Sequence, residues 1–106
     1  MKYDSDKPNI SLIPPEVLLD VARVFEVGAK KYGVNNWRKD LDVIEWSRTY
    51  SSIQRHLLQW HSGEDTDPES NEHHILHAIT QLMILYITTQ QGACVMDDRF
   101  CHEDDE

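Results

Sequence analysis

The sequence predicts an all-α protein: three main amphipathic helices forming a helical bundle that homo-oligomerisation completes. Apolar residues recur at helical spacing in three separate segments, and no period-2 strand of useful length lies between them. Prolines and glycines punctuate the segments where helices start and stop. Size supplies the third observation. A chain of 106 residues buries only about 60–65% of its unfolded surface, so three broad apolar faces require a second copy, as a homodimer or homotetramer.

The first helix enters at Pro14-Pro15, a pair suited to a helix start. Val17, Val21, Val24, Phe25 and Gly28 share one face, Asp20, Arg23 and Lys30 lie opposite, and Gly33 ends it. The second helix is expected from Asp42 to Ser62, with Trp46, Tyr50, Ile53, Leu57 and Trp60 on its apolar face and Gly63 closing it. Its other side carries Glu45, Arg48, Ser52, Arg55, His56 and Gln59. The third is expected from Ser70 to Gln90, with Ser70 as N-cap and Glu72 complementing the dipole of the first turn. Ile75, Ile79, Leu82, Met83 and Tyr86 form its expected core face, and His74, His77, Gln81 and Thr88 make a polar stripe opposite. The pattern stops after Gly92. Residues 1–92 therefore read as the folded domain, and residues 93–106, with six acids against one Arg, as a flexible acidic tail.

Hydrophobic residues at 40% and charged residues at 27% are the composition of a globular chain. The formal net charge of −9 argues against duplex nucleic acid and anionic membranes as partners. That charge is uneven. Residues 28–39 carry Lys30, Lys31, Arg38 and Lys39 with no acid, whereas residues 64–72 carry Glu64, Asp65, Asp67, Glu69 and Glu72 with no Lys or Arg. A cation-rich and an anion-rich segment in one small domain suit a metal-bound phosphate. The two cysteines, Cys94 and Cys101, build no disulfide scaffold, and the N-terminus has no apolar signal region. The longest apolar stretch, residues 79–87, is broken by Thr80, Gln81 and Tyr86, so a cytoplasmic protein is expected.

Two constellations carry chemistry. His74 and His77, at i and i+3, share a helix face, with His56 on the second helix and the loop carboxylates nearby. Such a set either meets one metal ion or consists of helix-surface histidines bonded to carboxylates. Residues 28–38 combine cations, glycines, Asn36 and Trp37. They are either a nucleotide-contacting loop or a solvated helix end whose Trp37 anchors the core.

The ordered series Lys7-Pro8, residues 11–15, residues 28–33, Asn36-Trp37-Arg38, Arg55-His56-Leu57, Trp60, Gly63-Glu64-Asp65, Asp67, Glu69-Ser70, His74 and His77-Ala78 resembles the phage dATP/dGTP diphosphohydrolase N-terminal domain family. The resemblance covers residues 7–88. It implies an all-α relative of the nucleoside triphosphate pyrophosphatases, which cut deoxynucleoside triphosphates between the α and β phosphates with Mg2+ or Mn2+. The wider superfamily binds metal through helix carboxylates, whereas here the third helix offers His74 and His77 and the second only Glu45. Carried over, the resemblance implies His56, Glu64 and Asp67 as catalytic, and His74, His77, Glu64 and Asp67 as metal ligands. Lys30, Lys31, Tyr32, Asn36, Trp37, Arg38 and Arg55 would bind a purine nucleotide. The expected activity is conversion of dATP or dGTP to the monophosphate plus pyrophosphate in phage nucleotide metabolism. The alternative is a non-catalytic protein that sequesters a signalling nucleotide.

Overall fold

The computed structural model describes residues 6–40, 44–91 and 94–100. Its elements are α1 (Pro15–Tyr32), α2 (Trp46–His61) and α3 (His74–Gln91), with short 3-10 turns at Ile10–Leu12, Asn36–Asp40 and Cys94–Met96. Among the described residues the only extended pairing is an isolated antiparallel bridge between Thr66 and His73. The all-α expectation holds.

α2 and α3 make the principal contact, and α1 rests on α3. Ser52 pairs with Gln81 and His56 with His74, so positions rise along one helix as they fall along the other. The two helices are therefore antiparallel. The buried apolar core is small: Val21 and Val24 from α1, Trp46 and Ile53 from α2, and Ala78 from α3.

α1 begins and ends where the sequence places it. Pro15 opens it, and Gly33, at φ 104°, donates its N–H to the Ala29 carbonyl at 2.8 Å. A positive φ of that size is open to glycine at no steric cost.

The other two starts need correction. α2 begins at Trp46, and the expected start at Asp42 lies outside the described residues. Its N-cap, Glu45, makes no side-chain cap, and the Ser47 N–H is instead bonded by Asp98 Oδ1 at 3.0 Å. Arg99 also lies over the Trp46 ring, 5.0 Å from its centroid. The first residues of the expected tail thus contact the start of α2, while Cys101 and His102 lie outside the described residues.

α3 begins at His74, not Ser70. Residues 64–73 fold back on themselves instead of entering a helix. Asn71 sits at φ 64° and donates to the Asp67 carbonyl at 2.7 Å, and the Asp67 N–H reaches the Glu72 carbonyl at 2.9 Å. Capping is done by His73, whose Nδ1 accepts from the Ile75 N–H at 3.1 Å. Ser70 is free for another use.

The orientation of α3 differs from expectation in part, since Ile75 and Ile79 of the expected core face are half-buried. His74, Ala78, Thr80 and Thr88 are buried, whereas Leu82, Met83 and Tyr86 of the expected core face are 51%, 44% and 67% exposed. The polar stripe turns inward because α2 and the 64–73 loop supply its hydrogen-bond partners. Met83 borders the space facing α1, whereas Leu82 and Tyr86, like Tyr50, Leu58 and Trp60 of α2, are exposed.

Candidate functional site: a histidine-lined groove

Where α2 and α3 diverge into the 64–73 loop, three histidines pack ring against ring. His56 stacks on His77 with centroids 4.6 Å apart and planes 14° apart, and its ring meets that of His74 at 5.1 Å and 48°. His74 is completely buried. Both of its nitrogens are engaged: Nδ1 lies 2.9 Å from His56 Nδ1, and Nε2 lies 2.7 Å from Glu64 Oε1. The main chain fixes this end too, since the His74 N–H donates to the Asp65 carbonyl at 2.9 Å.

His77 turns to the loop. Its Nε2 lies 2.6 Å from Ser70 Oγ and 3.7 Å from Asp67 Oδ2. Ser70 Oγ in turn accepts from the Glu72 N–H at 3.2 Å. Sequence reasoning gave Ser70 only a capping role. Its position three residues after Asp67 and seven before His77 was the available signal.

Burial sets the protonation tendencies here. Loss of solvent is the main force holding His56 below the ordinary histidine value of 6.5; His77 and His74 add to it and Asp67 opposes it. His77 is lowered by the same principal cause, again against Asp67. Both rings therefore favour the neutral form near pH 7.

An open groove of about 1220 Å³ runs from this cluster to α1. One wall is Lys31, Tyr32, Asn36 and Trp37; the other includes His56, Asp67, Ser70 and His77. The two constellations recognised in the sequence thus share one cavity. A clamp between α1 and the loop helps align the walls: Arg23 Nη2 reaches Glu72 Oε1 at 3.0 Å, and Nη1 reaches Asp20 Oδ1 at 2.9 Å.

Other expected residues fall elsewhere. Lys30 and Arg38 are exposed and do not line the groove, although the Arg38 guanidinium covers the Trp37 ring at 4.5 Å. Arg55 lines a separate 400 Å³ cleft with Arg48 and Ser51. Glu64 and His74 stand behind His56 and do not line the groove. Gln81 borders both cavities; its Nε2 donates to Ser52 Oγ at 2.9 Å.

The donor set does not fit a resident Mg2+ or Mn2+. Such ions take several oxygen ligands, yet both His74 nitrogens are spent and His77 Nε2 is bonded to Ser70. Among the described residues no three of His, Cys, Asp and Glu converge to hold an ion. Of the expected metal ligands, Glu64 Oε1 lies 2.7 Å from His74 Nε2, and Asp67 Oδ2 lies 3.7 Å from His77 Nε2.

The family model for the dATP/dGTP diphosphohydrolase N-terminal region matches residues 1–99. The chain belongs to this family. A curated relative, the dATP/dGTP diphosphohydrolase of Salmonella phage PMBT28, is 35% identical over 86 residues. The matched segment covers 81% of this chain and 28% of that relative, so the family region here corresponds to just over a quarter of the relative's length. No solved structure matches the chain. The comparisons give no support to a nucleotide-sequestering protein. No helix of the structure is long and apolar enough to cross a membrane among the described residues.

Proposed function

We propose that the groove binds a purine deoxynucleoside triphosphate, and that dATP or dGTP is converted there to the monophosphate and pyrophosphate. The observation that carries this reading is the shared cavity, which sets Lys31, Asn36 and Trp37 across from His56, Asp67 and His77. Lys31 offers a cation to the phosphates, Asn36 offers donor and acceptor groups to a base edge, and the Trp37 ring offers a stacking face backed by Arg38. A divalent ion accompanying the triphosphate belongs to the substrate in this reading. Self-association belongs to it as well: a second copy would cover the outward apolar face of α3.

Incubation of the purified chain with dATP, dGTP and pyrimidine controls, with Mg2+ or Mn2+ added, tests the proposal by chromatography of products. The expected result is purine monophosphate plus pyrophosphate. Nucleotide binding without product would overturn hydrolysis by this chain. Absence of both binding and product would overturn the reading entirely.

A further inference from the structure

We propose that Glu64 and His74 are a positioning pair that holds His56 in its Nδ1–H tautomer, so that His56 Nε2 presents an uncapped lone pair as the groove's proton acceptor. The argument is an inventory of donors. An ionised carboxylate only accepts, so the 2.7 Å contact between Glu64 Oε1 and His74 Nε2 requires the hydrogen on His74 Nε2. In the neutral form of His74, which carries one N–H, Nδ1 is then the acceptor. The 2.9 Å contact between the two Nδ1 atoms then needs its hydrogen from His56. A neutral His56 that spends its N–H this way has a bare Nε2.

The surroundings keep the order in place. Complete burial of His74 denies its nitrogens water as a substitute partner. Stacking on His77 fixes the plane of the His56 ring. His56 lines the groove, while Glu64 and His74 do not, so the chain of contacts has one end at the cavity and the other at a half-exposed carboxylate. No hydrogen bond to His56 Nε2 occurs among the described residues.

What the lone pair meets rests on the hydrolase reading; the tautomer does not. In hydrolysis, a groove water gives its proton to His56 Nε2, so one O–H bond breaks and one N–H bond forms. The oxygen nucleophile then forms a bond to the α-phosphorus as the bridging P–O bond breaks and pyrophosphate leaves with that electron pair. The positive charge on His56 is stabilised by the hydrogen bond from its Nδ1–H to His74 Nδ1, the acceptor that Glu64 holds in place through His74 Nε2–H. This is the logic of a carboxylate orienting a base through an imidazole, extended by one ring.

Long-range proton–nitrogen correlation spectra of the nitrogen-15-labelled chain, at neutral pH and without nucleotide, read the tautomers directly. The expected pattern is Nδ1–H with bare Nε2 on His56, and Nε2–H with bare Nδ1 on His74. Glu64→Lys replaces an acceptor with a donor, so it should invert both rings. Glu64→Gln, able to do either, should give a mixture. Circular dichroism confirms that each variant keeps its helices. A wild-type His56 protonated on Nε2, or a His56 tautomer unmoved in folded Glu64→Lys, would overturn the proposal. In turnover, Glu64→Lys should lower kcat about 100-fold, the low end for loss of a general base, with KM little changed. The stated tautomers without any nucleotide hydrolysis would sink the functional reading alone; hydrolysis with the opposite tautomers would sink the positioning pair alone.

Discussion

The two ends of α3 differ in kind. At its start, His74 is fully buried and both ring nitrogens are bonded, and His77 is held by Ser70. Further along, Leu82, Met83 and Tyr86 stand in solvent. Polar side chains are inside where the chain provides partners, and apolar ones are outside where it provides no fourth helix. Burial in this helix follows the supply of neighbours more closely than side-chain hydropathy. The histidine end is complete within one chain, whereas the apolar end has the composition of an interface.

The sharpest break of that comparison is His74→Ala. It opens a cavity and leaves His56 Nδ1 without its partner in a partly buried setting, so stability should fall by about 3 kcal/mol. Tyr86→Ala, removing a larger but exposed ring, should change stability by no more than about 0.5 kcal/mol in a monomer. Chemical denaturation of both variants measures the difference. Equal losses would show that the Tyr86 face is covered in solution.

Periodicity reveals which residues of a helix share a face, but not which face its neighbours cover. That is why three helices and the stripe of His74, His77, Gln81 and Thr88 were legible while the inward direction of the stripe was not. The grouping of His56 with His74 and His77 was accessible, because two histidines one turn apart on the third helix, a histidine on the second and the carboxylates between them can meet around one ion or one another. The shared groove was not, since it depends on how α1 packs, an arrangement reinforced by the long-range Arg23–Glu72 pair. Arg55 and His56 are adjacent in sequence, yet helical rotation sends one to the 400 Å³ cleft and the other to the groove.

Self-association sharpens the comparison next. If a second copy covers the apolar end, light scattering at micromolar concentration should give at least twice the 12.4 kDa chain mass. Leu82→Glu with Tyr86→Glu should return it to one chain mass, because burying two like charges without partners costs several kcal/mol. The histidine tautomers should be unchanged in that variant, as their contacts all lie within one chain. A wild-type monomer would leave the apolar face without the proposed second copy.

Acid separates the two ends by the smallest effect. His56 and His77 both sit below 6.5 in the folded chain, chiefly because burial disfavours their charged forms, and the unfolded chain takes up these protons more readily. Their contribution to stability is therefore complete above pH 6.5, declines as pH falls through that value, and levels off below the folded values. Around His56 the opposing influences are His74, His77 and Arg55, which lower it, and Asp67, which raises it; around His77, Asp67 and Glu72 raise and His74 lowers. The melting temperature should thus fall between about pH 7.5 and pH 5.5, above the range in which ordinary carboxylates titrate. His56→Gln with His77→Gln should flatten that fall, and Tyr86→Ala should leave it intact, because Tyr86 touches neither ring. A melting temperature that rises on acidification, or an equal slope in the double variant, would show that these two rings are not desolvated in the folded chain.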